Sequence, residues 1–411
     1  MMTMKKTIYA LSLVAMVLCT QSCRNDADFT ETIFDTSKPA VDVDAATGPF
    51  DQWLYDNFVV PYNTEIQYKF NMPASKLEYL LSPADYKKSQ LLAHFIKYLF
   101  YDVYIKYAGE EFMKLYGPRI FHFIGSAAYS PTTETEELGY ASAGVKITLI
   151  KVNEMKMWTP TNQYTAQDLE GLNEYQFHTM HHEFSHILHQ TKSYPVTFGQ
   201  VTPGDYDGRD WQKRDSVLSH SLGFITQYGS SATYEDFVET LSCAITNTDC
   251  RWMYAIIDAC CNGGVKEGDK ERIYELIDSL DIQGLDDSNK PWNNFTIKKE
   301  TSVDSETEEE TERFVPDFHE RDARSHSENT LTYTVEKKFT SFRDFLDNWV
   351  EIDNGSTTGG INAILKKIDI ATEWYTEKWG LHLFELRKEV KQRQSQINEY
   401  VRDNVTIYEL Q

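Results

Sequence analysis

Residues 182–186 read His-Glu-Phe-Ser-His, a spacing that suits metal chemistry. On a helix, His182 and His186 lie one turn apart, so both rings project from one face and can bind one metal ion. Glu183 follows the first histidine by about 100° of helical rotation. It therefore lies beside the ion, where it can take a proton from metal-bound water. The pattern predicts a hydrolytic centre with one zinc ion.

This five-residue pattern alone is a modest signal, because chance produces it on the order of one per cent of the time in a chain of this composition. The alternative is a helix with polar residues on its solvent face. Phe184, Ile187 and Leu188 favour a substantially buried helix over residues 175–190 instead. Buried histidines need partners, and a metal ion is one such partner.

Zinc requires a third protein ligand, which leaves a fourth position for water. His189 is close in sequence, but on a helix it lies roughly 10.5 Å along the axis from His182, too far for both to reach one ion. We expect His189 in a supporting position. Glu235 and Glu239 are better placed, because they share one face of a predicted helix over residues 234–247.

Half-buried carboxylates on such a face require a cation or hydrogen-bond donors. Two histidines with Glu235 would complete a zinc site, and Glu239 would orient a ligand histidine or a backbone group. The alternative is that Glu235 only begins a helix near its positive dipole end. Spacing alone leaves both interpretations open.

The segment 227–239 resembles the matching segment of the anthrax lethal factor class of zincins. In that class a tyrosine precedes the ligand glutamate by seven residues, and the glutamate opens a Glu-x-Phe-x-Glu pattern. Tyr228 and Glu235 occupy both positions. The resemblance implies that Glu235 is the third zinc ligand and that Tyr228 directs its hydroxyl at the oxyanion of the tetrahedral intermediate.

A longer resemblance extends over most of the chain, to the Bacteroidetes zinc metallohydrolase lipoproteins of the putative zinc-binding metallopeptidase family, which are often described as substrate-import-associated. It is carried by residues 144–153, 177–190, 223–228 and 379–386, with Glu235-Asp-Phe. The resemblance implies an outer-membrane lipoprotein that accompanies a TonB-linked uptake system. We predict an α+β, zincin-like fold of the gluzincin type, with a mixed sheet over the His-Glu-x-x-His helix and a mostly helical C-terminal part.

The N-terminus predicts export. Lys5 and Lys6 precede an apolar run over residues 8–18, too short for a transmembrane span, and Ser22 precedes Cys23. This pattern resembles a bacterial lipoprotein signal over 1–22, with lipidation at Cys23 and a flexible tether over 23–48. Thr20 departs from the usual residue of that signal, and a secretory signal cut nearby is the alternative. Either way we expect the mature chain to leave the cytoplasm, and lipidation at Cys23 would anchor it to a membrane.

The remaining chain divides by composition. We predict a catalytic region over 49–290, an acidic insertion or loop over 291–335, and a helical C-terminal part over 336–411 that completes the catalytic domain. Within the catalytic region we predict a helix over 85–115 and strands over 63–70, 119–124 and 145–152. The strand at 144–153 is either an edge strand that binds an extended peptide or an ordinary internal strand. The sequence does not decide whether the four later cysteines are buried free thiols or form one disulfide; they are Cys243, Cys250, Cys260 and Cys261.

A formal net charge of −23 argues against nucleic acid as a partner. The favoured function is zinc-dependent hydrolysis of peptide or protein substrates at the cell envelope, linked to nutrient uptake. Two alternatives are a non-catalytic surface lipoprotein that binds nutrient or a transporter, and a hydrolase of a different amide. Glu183 favours catalysis, because a binding module has no need of a general base.

Overall fold

The computed structural model describes residues 48–70, 81–129, 136–137, 139–142, 146–262, 265, 268–303, 310–318, 331–349 and 359–409. The predicted signal peptide, Cys23 and the tether up to residue 47 lie outside this part of the chain. Within it, no helix is long and apolar enough to cross a membrane.

Fifteen α-helices are present in the described residues. In chain order they are α1 Pro49–Leu54, α2 Val60–Tyr62, α3 Tyr86–Phe95, α4 Asp102–Ala108, α5 Glu110–Tyr116, α6 Ala166–Leu172, α7 His178–Thr191, α8 Ser216–Ser221, α9 Thr233–Thr246, α10 Asp249–Cys261, α11 Asp269–Ser279, α12 Phe342–Asn348, α13 Gly360–Trp379, α14 Leu383–Ser395 and α15 Ile397–Asn404. Wider π-helical turns join several of them, at Tyr55–Val59, Ile96–Tyr101 and Asn173–Phe177. Single 3₁₀ turns lie at Val152–Glu154, Trp211–Lys213 and Tyr228–Ser231.

The strands of the described residues form three small sheets. They are β1 Glu65–Gln67, β2 Ile120–Phe123, β3 Ala128–Tyr129, β4 Glu136–Glu137, β5 Gly139–Ser142, β6 Lys146–Leu149, β7 Phe295–Val303, β8 Glu310–Asp317 and β9 Leu331–Phe339. The largest sheet has the order β1-β2-β6-β5, in which the first three strands are parallel and β5 is antiparallel to β6. A mixed sheet therefore forms as predicted.

The strand order decides which alternative holds for residues 144–153. Strand β6 pairs with β2 on one side and β5 on the other, so it is an internal strand. The hypothesis that this segment is the edge strand is wrong, and β5 occupies the edge instead. Apolar Ile147 and Leu149 on β6 are fully buried, as a central strand requires.

The sheet and the helices meet at α7. Along this helix Met180, Phe184 and Leu188 recur at intervals of four residues and are fully buried. This spacing places them on one face, where burial of each large apolar side chain contributes about 1.5–3 kcal/mol. Helix α7 packs against α9, β5 and β6, so its polar face is brought against the first turns of α9.

His94 on α3 is a buried titratable group away from the metal-site motif. Its ring stacks on Trp53 with centroids 3.9 Å apart and is 4% exposed. Burial, with a smaller effect of Lys97, lowers the pKa of His94 from 6.5 to about 4. As the pH falls, the unfolded chain therefore binds a proton at this histidine before the folded protein does. The stability that the neutral, buried His94 contributes is fully present above pH 6.5 and is lost as the pH falls toward 4.

We expect His94→Phe to remove this pH dependence. Between pH 7 and pH 4 the metal-free wild type should lose about 3 kcal/mol more unfolding free energy than the variant, because only the wild type carries the depressed pKa. Urea unfolding at a series of pH values measures the difference. Identical pH slopes for the two proteins would contradict the assignment.

The region over 291–335, for which the sequence predicts an acidic insertion or loop, contains strands at Phe295–Val303 and Glu310–Asp317. Strand β7 is the centre of an antiparallel sheet with the order β8-β7-β9. Charge pairs connect these strands: Lys299 lies 2.6 Å from Glu312, and Arg313 lies 2.7 Å from Glu300, which is 3% exposed. Two of the acidic side chains of the region are thus paired across strands. The predicted boundary between residues 335 and 336 falls inside β9.

The C-terminal part is helical, as predicted, after β9. Helix α13 ends at Gly380, whose φ of +67° provides the left-handed residue that terminates many helices. Trp374, Leu383 and Leu386 are buried as predicted, while Trp379 is half-buried. Of the later cysteines, Cys243 and Cys260 are buried free thiols, as the first of the two alternatives expects.

Candidate metal centre

Three side chains from two helices converge on one point. His182 and His186 come from α7, and Glu235 comes from the first turn of α9. The two Nε2 atoms are 3.2 Å apart, and Glu235 Oε2 lies 3.3 Å from His182 Nε2 and 3.2 Å from His186 Nε2. Tetrahedral zinc with bonds of 2.0–2.1 Å separates its ligand atoms by roughly 3.3 Å. The triangle formed by His182 Nε2, His186 Nε2 and Glu235 Oε2 therefore has the dimensions of a zinc site.

The hydrogen bonds on the far side of each ring fix the tautomers. His182 Nδ1 lies 2.6 Å from Glu239 Oε1, and His186 Nδ1 lies 3.0 Å from His189 Nε2. Burial lowers the pKa of His189 to about 4, so that ring is neutral, and in the tautomer with its proton on Nδ1 its Nε2 accepts from His186. In neutral rings, both Nε2 lone pairs then face the Glu235 carboxylate. Such an array of acceptors requires a cation.

The electrostatics of the site also favour positive charge. Burial opposes the charge of His182, but hydrogen bonds to Glu235 and Glu239 raise its pKa to about 10. Burial would raise the pKa of Glu235, yet His182 and His186 lower it to about 2. The carboxylate thus stays ionised. A proton or a metal ion can neutralise the cluster, and its donor set is that of a two-histidine, one-carboxylate zinc centre.

Glu239 lies behind the metal-facing atoms. Its Oε1 accepts from His182 and, at 2.9 Å, from His178 Nε2, and its Oε2 accepts from Thr226 Oγ1 at 2.6 Å. Glu239 is 3% exposed, so these donors compensate a buried charge. The contact with His182 Nδ1 orients that ring, as carboxylates do behind many metal-bound histidines.

Glu183 and Tyr228, the predicted catalytic pair, both lie at this cluster. Glu183 is 6% exposed, and its charge contributes to the raised pKa of both His182 and Tyr228. The Tyr228 ring lies 6.0 Å from the His182 ring. Burial and then the Glu235 carboxylate raise the pKa of Tyr228, so its hydroxyl remains a proton donor at neutral pH.

Sequence reasoning missed several neighbours of this centre. His178 lies one turn before His182, and that repeated four-residue spacing was a usable signal. Tyr234 is 50% exposed with its ring 6.1 Å from that of His186, and Trp211 packs edge-on against Tyr228 at 5.1 Å. Tyr234 directly precedes Glu235, which was a usable signal, whereas no local pattern points to Trp211, because only folding brings its segment to the site.

A second group of potential ligands comprises His178, Glu239 and Cys243. Its geometry is that of a hydrogen-bonded cluster. His178 turns Nε2 toward Glu239 and its other nitrogen, Nδ1, toward the Cys243 sulfur at 3.9 Å. Burial opposes the charge of His178, but Glu239 and Cys243 raise its pKa to about 10. A protonated His178 satisfies both neighbours without a metal ion.

The fold is of the mixed α+β class, and its helices α7 and α9 bring two histidines and one glutamate together as a candidate metal site. The sequence profile of the family described as putative zinc-binding metallo-peptidases matches residues 43–384, and the chain belongs to this family. The fold is similar to the crystal structure of a putative zinc-binding metallo-peptidase from Bacteroides caccae. The TM-score is 0.51 and the identity 24%, over 87% of this chain and 95% of that chain. A search of curated proteins finds no match. Membership of the putative zinc-binding metallopeptidase family and the α+β fold class are confirmed, while the lipoprotein and uptake association stays a prediction.

Proposed function

We propose that the protein is a zinc-dependent peptidase whose metal is held by His182, His186 and Glu235. The observation that carries this proposal is the triangle of ligand atoms with sides of 3.2–3.3 Å, with Glu183 and Tyr228 beside it. A pure metal-binding scaffold requires the triangle alone. A buried carboxylate and a tyrosine hydroxyl at the same centre are the groups that peptide hydrolysis also requires.

A bound zinc ion would polarise the substrate carbonyl and make water nucleophilic near neutral pH. Glu183 would accept the proton of the attacking water and then pass it to the leaving amine. Tyr228 would donate a hydrogen bond to the carbonyl oxygen as negative charge develops there. The raised pKa of Tyr228 keeps the proton available for that bond.

The sheet supports a peptide as the substrate. Among the described strands, β5 is at the edge of the mixed sheet and packs against α7. An extended peptide can add to such an edge by backbone hydrogen bonds, which bind it without regard to most side chains. A peptide added at β5 would lie near α7, the helix that carries both ligand histidines.

The proposal is tested by incubating the purified protein with a library of peptides and glycopeptides, with and without a chelator. We expect cleavage that the chelator abolishes and that added zinc restores. If wild type and the Glu183→Ala variant were equally inert on every substrate, the peptidase proposal would be contradicted. The metal-site assignment would be unaffected by that result. Cleavage of non-peptide amides alone would identify a hydrolase of a different substrate class.

For the cellular location, we propose a lipoprotein of the outer membrane that is anchored through Cys23 and serves a TonB-linked nutrient uptake system. The support is the sequence pattern of Lys5, Lys6, the apolar run and Ser22-Cys23. Cells that express the full chain should incorporate labelled palmitate, and Cys23→Ala should not. Label that persists in the Cys23→Ala protein would contradict the lipidation site.

A further inference from the structure

A fully buried ion pair lies next to the candidate ligand Glu235. Lys367 on α13 and Asp236 on α9 have side chains that are 0% and 1% exposed, and Nζ lies 2.8 Å from Asp236 Oδ2. Removing two charges from water is costly, and apolar replacements of such pairs often leave a protein as stable or more stable. Stability alone is therefore a poor reason for this pair, and its position suggests another.

Asp236 lies in the first turn of α9, directly after Glu235. The residue that precedes this helix, Ala232, makes no side-chain hydrogen bond to the open backbone N–H groups. The first turn thus lacks the usual local cap. Two contacts of Asp236 Oδ2 fix this first turn instead. Lys367 makes one of them, and the Tyr206 hydroxyl donates the other at 2.7 Å.

The Lys367 ammonium also fixes the segment 223–228, which leads to Tyr228. It donates to the Gly223 carbonyl at 2.8 Å and lies 3.9 Å from the centroid of the Phe224 ring. Gly223 has a φ of +88°, and a β-carbon there would lie 2.3 Å from that of Ala363 on α13. Helix α13 is therefore in close contact with this segment.

We propose that Lys367 and Asp236 are positioning residues for the metal centre. One ammonium group joins the turn that carries Glu235 to the segment that carries Thr226 and Tyr228. Thr226 donates to Glu239, so this connection also reaches the carboxylate behind His182. The inference rests on the metal site of the proposed function and does not require that the substrate be a peptide.

The test is the double variant Lys367→Met/Asp236→Asn, which removes both charges and nearly conserves volume. Zinc affinity is measured by competition with a chromophoric chelator, beside the thermal unfolding of the metal-free protein. We expect the dissociation constant to rise about 10–100-fold, the usual effect of losing support behind metal ligands. A variant that folds and binds zinc as tightly as wild type would overturn the proposal.

A matched control lies at the C-terminal end of α9, the helix whose first turn carries Glu235 and Asp236. Arg387 is 1% exposed, donates to the Asn247 carbonyl just after α9, and lies 3.3 Å from Asp249. Arg387→Met/Asp249→Asn should change thermal stability with little effect on the zinc dissociation constant. An equal loss of zinc affinity in both double variants would mean that the Lys367 pair acts only through general stability.

Tyr206→Phe provides a milder variant if the double variant does not fold. It removes one hydrogen bond to Asp236 and keeps the aromatic ring. We expect a rise of a few-fold in the zinc dissociation constant, and an unchanged constant in this folded protein would overturn the proposal. Wild-type protein that binds no zinc would instead contradict the proposed function itself, so the two failures are distinguishable.

Discussion

Replacing Glu235 with alanine is expected to weaken zinc binding by about 10²–10³-fold. The binding free energy of protein zinc sites, about 10–16 kcal/mol in small domains, is distributed over four ligands. Loss of one ligand therefore removes several kcal/mol. Because the Glu235 carboxylate would also offset the positive charge of the bound ion, the two histidines alone should retain only a weak site.

Metal content after dialysis and chelator competition measure this effect. His189→Ala is the informative comparison, because His189 contacts His186 Nδ1 on the side away from the triangle. Its loss should weaken zinc binding by less than the loss of Glu235. If Glu235→Ala kept its zinc while His189→Ala lost it, the ligand assignment would be reversed.

Glu183→Gln is expected to lower kcat for peptide hydrolysis by about 10²–10⁴-fold, the usual contribution of a positioned general acid–base group. Glutamine keeps the size of the side chain but cannot accept the proton of the attacking water. Zinc affinity should remain close to that of wild type, because Glu183 is not one of the three converging groups. The Glu183→Gln variant should therefore lose hydrolytic activity while it still binds zinc.

Steady-state kinetics on the best substrate of the library, with zinc content measured on the same sample, separates these quantities. Glu111→Gln on α5 is the matched control, since that side chain is 77% exposed and the substitution is chemically identical. It should leave kcat unchanged. A Glu183→Gln protein with wild-type kcat would exclude Glu183 as the catalytic base.

Part of the centre could be predicted from local spacing. His182 and His186 are one helical turn apart, so a period of 3.6 residues fixes their common face and places Glu183 about 100° around the helix from His182. Glu235 is 49 residues from His186, and spacing alone could not distinguish a ligand from the start of a helix. The resemblance to the lethal factor class supplied that distinction, together with Tyr228.

The supporting groups could not be predicted, because each reaches the centre through tertiary packing. Lys367 is 144 residues from Gly223, whose carbonyl it binds, and a lysine inside an amphipathic helix ordinarily predicts a solvent-facing position. Its burial depends on Asp236 and on the ring of Phe224, which come from other segments. No pattern within α13 records these partners.

The fold was predictable in class but not in strand order. Alternation and β-branched content identify β2 and β6, yet neither records that β5 pairs on the outer side of β6. Glu312 and Glu300 show the limit of charge patterning, because both carboxylates look solvated in the sequence until Lys299 and Arg313 are placed opposite them. Pairing partners across a sheet are set by register, which composition does not reveal.

The central claim is that one zinc ion is held by His182, His186 and Glu235. The most direct test is anomalous diffraction at the zinc absorption edge from crystals of the protein grown with zinc. We expect a single strong peak within bonding distance of the two Nε2 atoms and Glu235 Oε2. A peak among His178, Glu239 and Cys243 instead, or none in zinc-saturated crystals, would contradict the claim.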